Sequence, residues 1–118
     1  IAACRWLPDE ALRVYAGEYA RTGFQGGLQW YRCRTTGRFL AEEQTWAGRT
    51  IDVPSLFVAG ASDWGIHQVP GALEATRTRA CTRMLGCVLV EGAGHWVQQE
   101  QPGEVVRLLL DFLRAARA

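Results

Sequence analysis

The period of the apolar positions changes near the middle of this chain. After Pro8-Asp9-Glu10, Leu12, Tyr15, Ala16 and Tyr19 recur at helical spacing and Gly23 follows as a cap. Proline suits a first helical position, and acids suit the positive end of the helix dipole. The glycine-rich run T-G-F-Q-G-G-L at 22–28 reads as a connection. It leads into a second helical stretch over 28–43, weakened at its centre by Thr35, Thr36 and Gly37. Trp46-Ala47-Gly48-Arg49 is a linker. The pattern then becomes a short continuous apolar run from Ser55 to Ala59, preceded by proline and closed by Gly60, as a strand buried on both faces reads. Val69-Pro70-Gly71 opens a helix through Leu73, Ala80 and Met84 that ends near Gly86, and Cys87 to Val90 is a second strand. A short turn over 96–101 precedes Pro102-Gly103-Glu104, which opens a last helix with Val105, Leu108, Leu109, Phe112 and Leu113 on its apolar face.

The expected organisation is a helical hairpin over 1–50, then a β-α-β-α segment over 51–118. Two parallel strands joined by a helix make a right-handed crossover, but two strands alone do not make a stable sheet. Their near-continuous hydrophobicity calls for neighbours on both sides, so the chain reads as the C-terminal part of a larger α/β protein. A self-sufficient small α/β domain is the alternative. The chain starts at Ile1 rather than Met, so its first residue is not read as a natural start.

Composition narrows the partners. The net charge is +1, and all thirteen basic residues are Arg, scattered among acids as on solvated faces, so no nucleic acid is expected. No apolar run approaches a membrane span, and no basic segment followed by an apolar one marks a signal peptide. Cys4, Cys33, Cys81 and Cys87 lack metal-site spacing and read as reduced, partly buried thiols of a cytoplasmic protein, with a disulfide pair left open.

The chemistry concentrates past the two strand ends. Asp63 follows the first strand, in G-A-S-D-W, and His95 follows the second, in G-A-G-H-W, 32 residues later. In open α/β sheets, sites form beyond the carboxyl ends of parallel strands. A carboxylate bonded to one imidazole nitrogen fixes the tautomer and leaves the other nitrogen free to take a proton. A loop Asp alone is commonly a turn former, and a lone His a structural residue. Paired at matching strand ends, they read as catalytic. Trp30, Trp64 and Trp96 suit the wall of an apolar pocket as well as they suit plain packing. Glu91, Glu100 and His67 read as surface residues.

Three segments carry a family resemblance that extends from about Leu7 to the C-terminus. G-A-G-H-W-V-Q-Q-E-Q-P-G-E-V, from Gly92 to Val105, resembles the histidine segment of the α/β-hydrolase superfamily, closest to its epoxide hydrolases and dehalogenases. V-P-S-L-F-V-A-G-A-S-D-W, from Val53 to Trp64, resembles the acid-bearing strand and loop of that group. T-G-F-Q-G-G-L-Q-W-Y-R, from Thr22 to Arg32, is similar to the lid segment of soluble epoxide hydrolases. The superfamily's chain order is nucleophile, acid, histidine, and this chain supplies the last two in that order. The resemblance implies the C-terminal portion of an α/β-hydrolase fold, parallel strands with crossover helices, preceded by a helical lid. It implies Asp63 and His95 as catalytic residues, and Tyr31 as the donor to an oxirane oxygen while a carboxylate attacks a ring carbon. No cofactor or metal is implied.

The nucleophile is missing. Ser55 lies inside the strand, Ser62 lacks the second glycine of an elbow, and Asp9, Asp52 and Asp111 lie at helix or linker positions. The family's His-Gly-x-Pro oxyanion loop and second lid tyrosine are absent too. The chain alone is therefore expected to be inactive. Its partners would be a small apolar epoxide or related substrate, the missing N-terminal part of the fold and, if it self-associates, a second copy in a homodimer. Rival readings are a haloalkane or haloacetate dehalogenase, a serine esterase, or a non-catalytic fragment or binding protein.

Overall fold

In the computed structural model, residues 4–117 are described, and the chain divides into two compact units, Ile1–Gly48 and Arg49–Ala118. The first unit is helical. α1 spans Asp9–Thr22, with Asp9 and Glu10 in its first turn. It ends where the Gly23 N–H donates to the Tyr19 carbonyl at 2.8 Å, with Gly23 at φ +68°, a conformation that favours glycine. Tyr19 stacks on Phe24, ring centroids 4.5 Å apart.

The second helical stretch differs from its expected form. α2 already begins at Gln25 and spans Gln25–Thr35, so Gly26 and Gly27 lie inside a helix rather than in a connection. A new helix, α3, spans Leu40–Gln44. The break falls at Thr36 and Gly37, where φ is +64° at Gly37. The threonines and glycine noted in the sequence thus end one helix rather than weaken a single long one.

The second unit is built on a two-stranded parallel sheet. β1, Ser55–Gly60, pairs with β2, Met84–Val90, in a register running from Leu56 opposite Gly86 to Gly60 opposite Val90. A bulge between Ser55 and Leu56 sets Ser55 opposite Met84. Between the strands lie a 3₁₀ turn, Trp64–His67, and α4, Ala72–Ala75, whose path widens into a π turn over Thr76–Ala80. Cys81 N–H closes that turn on the Thr76 carbonyl at 3.1 Å. The crossover helix therefore stops at Ala80, and Met84, Leu85 and Gly86 belong to the strand instead of the helix end. The reason is lateral pairing. Ile51 bridges Cys81 in parallel and Ser55 N–H donates to the Arg83 carbonyl, so the backbone at Ile51 and at the start of β1 pulls these residues into extended structure. α5, Val97–Glu100, and α6, Pro102–Ala115, complete the chain, and α6 packs on β2.

The core is small. Ala59, Cys81, Val90 and Ala93 are its buried apolar residues among those described. Helix α6 half-buries Val105, Leu108 and Phe112, but Leu109 and Leu113 on the same predicted face stay exposed, as do Leu85 and Leu89 on β2. On α1 the helical-period residues Leu12, Tyr15 and Tyr19 are likewise exposed. Parallel strands ordinarily have both faces covered, so this unit carries the inner surface of a sheet without the layers that would bury it.

That imbalance makes a prediction for the isolated 118-residue chain. It should bind a hydrophobic dye such as ANS and lose its circular dichroism over a broad thermal range. A sharp cooperative melt without dye binding would contradict this account.

Candidate active site

The acid loop and the histidine loop are cross-linked by backbone before any side chain is considered. Ala61 N–H donates to the Val90 carbonyl at 2.9 Å, and Ser62 N–H donates to the Ala93 carbonyl at 3.0 Å. The loops approach so closely at Gly60 that a Cβ there would collide with the carbonyl oxygens of Ala93 and Gly94. Glycine at the end of β1 is thus a condition for bringing the two loops together.

Asp63 occupies the cap of the 3₁₀ turn, and its Oδ1 accepts the Gly65 N–H at 2.7 Å. Its carboxylate faces His95 Nδ1, at 3.0 Å from Oδ1 and 3.1 Å from Oδ2. Asp63 is buried, with its side chain 12% exposed, whereas the His95 side chain is 54% exposed. Its carboxyl is held below the ordinary value of 3.8, chiefly by the Gly65 N–H and further by the hydrogen bond and charge of His95, with burial opposing. An ionised carboxylate can only accept, so His95 Nδ1 carries the proton and Nε2 keeps a lone pair. This is the tautomer a general base requires.

Two of the predicted tryptophans frame the imidazole. Trp64 stacks on His95 with centroids 5.7 Å apart and planes 25° apart. Trp96 meets it edge-on, at 5.6 Å and 74°. The second unit thus brings together Asp63, His95, Trp64 and Trp96. Trp30 and Tyr31 belong to the first unit, at adjacent positions of α2, and both are largely exposed. One residue beyond them, the Arg32 guanidinium donates to Gln25 Oε1 at 2.7 Å, tying two turns of that helix together.

Glu100 does not lie at the surface its sequence context predicts: it is half-buried and its carboxylate accepts two backbone N–H groups of the histidine loop, Gly94 at 2.8 Å and Trp96 at 3.0 Å. Gln101 Nε2 adds a longer bond of 3.4 Å to the Gly92 carbonyl. The available signal was an acid four residues past Trp96 in a short turn, where a side chain reaches back to the turn's own start. Glu91 and His67 are exposed, as expected of surface residues. Among the described residues, no group of three or more His, Cys, Asp or Glu side chains could hold a metal ion, and no helix is long and apolar enough to cross a membrane.

No protein-family model matches the chain. Epoxide hydrolase A of Mycobacterium tuberculosis is 46% identical over 112 residues, which cover 92% of this chain and 32% of that protein. Epoxide hydrolase 2 of Siraitia grosvenorii is 32% identical, over 92% of this chain and 35% of its own length. Among solved structures, epoxide hydrolase I of potato (Solanum tuberosum) superposes with a TM-score of 0.80 at 32% identity, covering 94% of this chain and 35% of the other. Epoxide Hydrolase A from Mycobacterium thermoresistibile gives 0.74 at 44% identity, covering 96% and 34%. The chain spans about a third of the length of the curated relatives it matches, at their C-terminal part.

Two predictions follow from the loop geometry. In the longer protein carrying this chain, Gly60→Val should cost about 1–3 kcal/mol or more of stability in denaturant titration, because backbone oxygens rather than flexible side chains stand in the way. The lowered pKa of Asp63 stabilises the fold at pH values above 3.8, a contribution lost as pH falls through the depressed native value. Carboxyl NMR should therefore place the Asp63 midpoint below 3.8. His95→Ala should raise that midpoint only in part, since the Gly65 N–H remains; a wild-type midpoint at or above 3.8 would contradict the geometry.

The sequence matches and the shared fold agree: the chain belongs to the α/β-hydrolase superfamily, where it corresponds to the C-terminal part of the epoxide hydrolases.

Proposed function

We propose that this chain is the lid and C-terminal core portion of an epoxide hydrolase that opens a small apolar epoxide to a vicinal diol through an ester on an upstream aspartate. The observation that carries the reading is the Asp63–His95 pair, with Nδ1 within 3.1 Å of both carboxylate oxygens. The likeness to epoxide hydrolases over nearly the whole chain supports the substrate class.

In the first step, the upstream carboxylate oxygen attacks a ring carbon and the C–O bond breaks toward the ring oxygen. Tyr31 supplies that oxygen's proton, because an alkoxide in a dry pocket is a poor leaving group without a donor. In the second step, His95 Nε2 takes a proton from water while the water oxygen adds to the ester carbonyl carbon. The ester C–O bond breaks, and the departing alkoxide takes the proton back from the imidazolium. The carboxylic acid that remains ionises, and its proton restores Tyr31. The balance is epoxide plus water to diol. Asp63 keeps His95 in the productive tautomer and stabilises its charged form. Trp30, Trp64 and Trp96 contribute apolar wall. The exposed sheet and α6 faces are where the N-terminal part of the core would pack.

The test is product analysis on the longer protein carrying this chain. A small aryl epoxide should yield its diol, with no halide released from chloroacetate. Tyr31→Phe should slow ring opening by about 10²-fold or more. Halide release without diol formation would overturn the proposal in favour of a dehalogenase.

A further inference from the structure

The geometry points to Glu100 as a positioning residue for His95, one that sets the placement of the base through the backbone without touching substrate. This rests on the reading of His95 as the base of the ester-hydrolysis step. Glu100 Oε2 accepts the Gly94 N–H at 2.8 Å and Oε1 accepts the Trp96 N–H at 3.0 Å. These two amides belong to the peptide planes before Gly94 and after His95, so the His95 backbone lies between two pinned planes. The grip closes on itself, because the Glu100 N–H donates in turn to the Trp96 carbonyl at 2.9 Å. Side chain and main chain of Glu100 thus satisfy both the N–H and the C=O of Trp96, a reciprocal arrangement of the kind that caps helix starts.

A carboxylate suits this place for a definite reason. Each of its two oxygens serves one amide, and it brings no donor of its own. The amide of a glutamine has one acceptor, so Glu100→Gln leaves one loop N–H facing an NH₂ group. Gly60 admits the Ala93 and Gly94 carbonyls, and Asp63 fixes the ring itself through Nδ1. The backbone of His95 is therefore braced by Glu100 and its ring by Asp63. Apart from its ring contacts with Trp64 and Trp96, the His95 side chain is 54% exposed, so loosening the brace displaces the base directly.

The reaction separates into two readable steps. Ring opening uses the upstream carboxylate and Tyr31, and only ester hydrolysis needs His95 Nε2. In the longer protein, Glu100→Gln should leave the single-turnover rate of ester formation within about twofold of wild type and slow ester hydrolysis by about tenfold or more, so that the ester accumulates in intact-mass spectra. Glu100→Ala should slow it further. Glu104→Gln, which weakens only the ion pair with its two hydrogen bonds to Arg107 within α6, should leave both steps unchanged. Independently of turnover, the downfield Nδ1 proton of His95 should broaden or shift upfield in Glu100→Gln.

An equal slowing of both steps, with the His95 proton signal unchanged, would overturn the assignment. If the wild-type protein forms no ester, the epoxide hydrolase reading fails, and the proton signal alone decides the role of Glu100. If the variants do not fold, amide exchange in the wild type decides it. The Gly94 and Trp96 amides should both be protected relative to their exposed neighbours, and fast exchange at either would contradict the brace.

Discussion

The bond between the Asp63 carboxylate and His95 Nδ1 organises the second unit, and it depends on two backbone loops crossing at a glycine. Gly60 ends β1 with no side chain in the path of the Ala93 and Gly94 carbonyls, so the loop after β2 can fold down onto the loop after β1. Asp63 is then locked by the Gly65 N–H, which also keeps its carboxyl acidic. Electrostatics and geometry act in the same direction here. The acid stays ionised because a donor meets it, and an ionised acid dictates which imidazole nitrogen holds the proton. Parallel pairing of β1 with β2 supplies the last condition, since it carries both loops to one edge of the sheet.

Around this well-made centre the burial is incomplete. Few apolar side chains are buried, while Leu85, Leu89, Leu109 and Leu113 keep large apolar areas in water. Free energy from burial scales with area removed from water, so the second unit's polar cross-links are more developed than its core. This combination fits a segment whose local loop architecture is written into its own sequence, while its packing is completed by other chain. The chain matches about a third of the length of these epoxide hydrolase relatives.

Much of this was legible in the sequence, for physical reasons that differ by element. The apolar run at 55–59 admitted one reading, because its length, its preceding proline and Gly60 all favour a strand, and β1 lies there with one residue more. Asp63 and His95 could be paired because strand ends on one sheet edge are neighbours whatever the residues between them. The segment 76–86 was harder. Thr76 to Ala80 has helix-compatible residues and enters a π turn, and pairing with Ile51 and Ser55 draws Met84 into the sheet, an effect no local window contains. The role of Glu100 is not legible in the sequence, because a surface acid and a bracing acid look alike in composition. What separates them is the reach of one side chain to two amides, which only the turned backbone reveals.

The central claim is that His95, oriented by Asp63, activates water against an ester formed elsewhere in the longer protein. The measurement that tests it most directly is the intact mass of the His95→Gln variant after exposure to a small epoxide, followed by peptide mapping. The account predicts a stable adduct heavier by one epoxide, on a carboxylate outside the 118 residues described by this sequence. The same adduct should be transient in wild type. A variant that still turns over without an adduct, or an adduct borne by a residue of this chain, would contradict it.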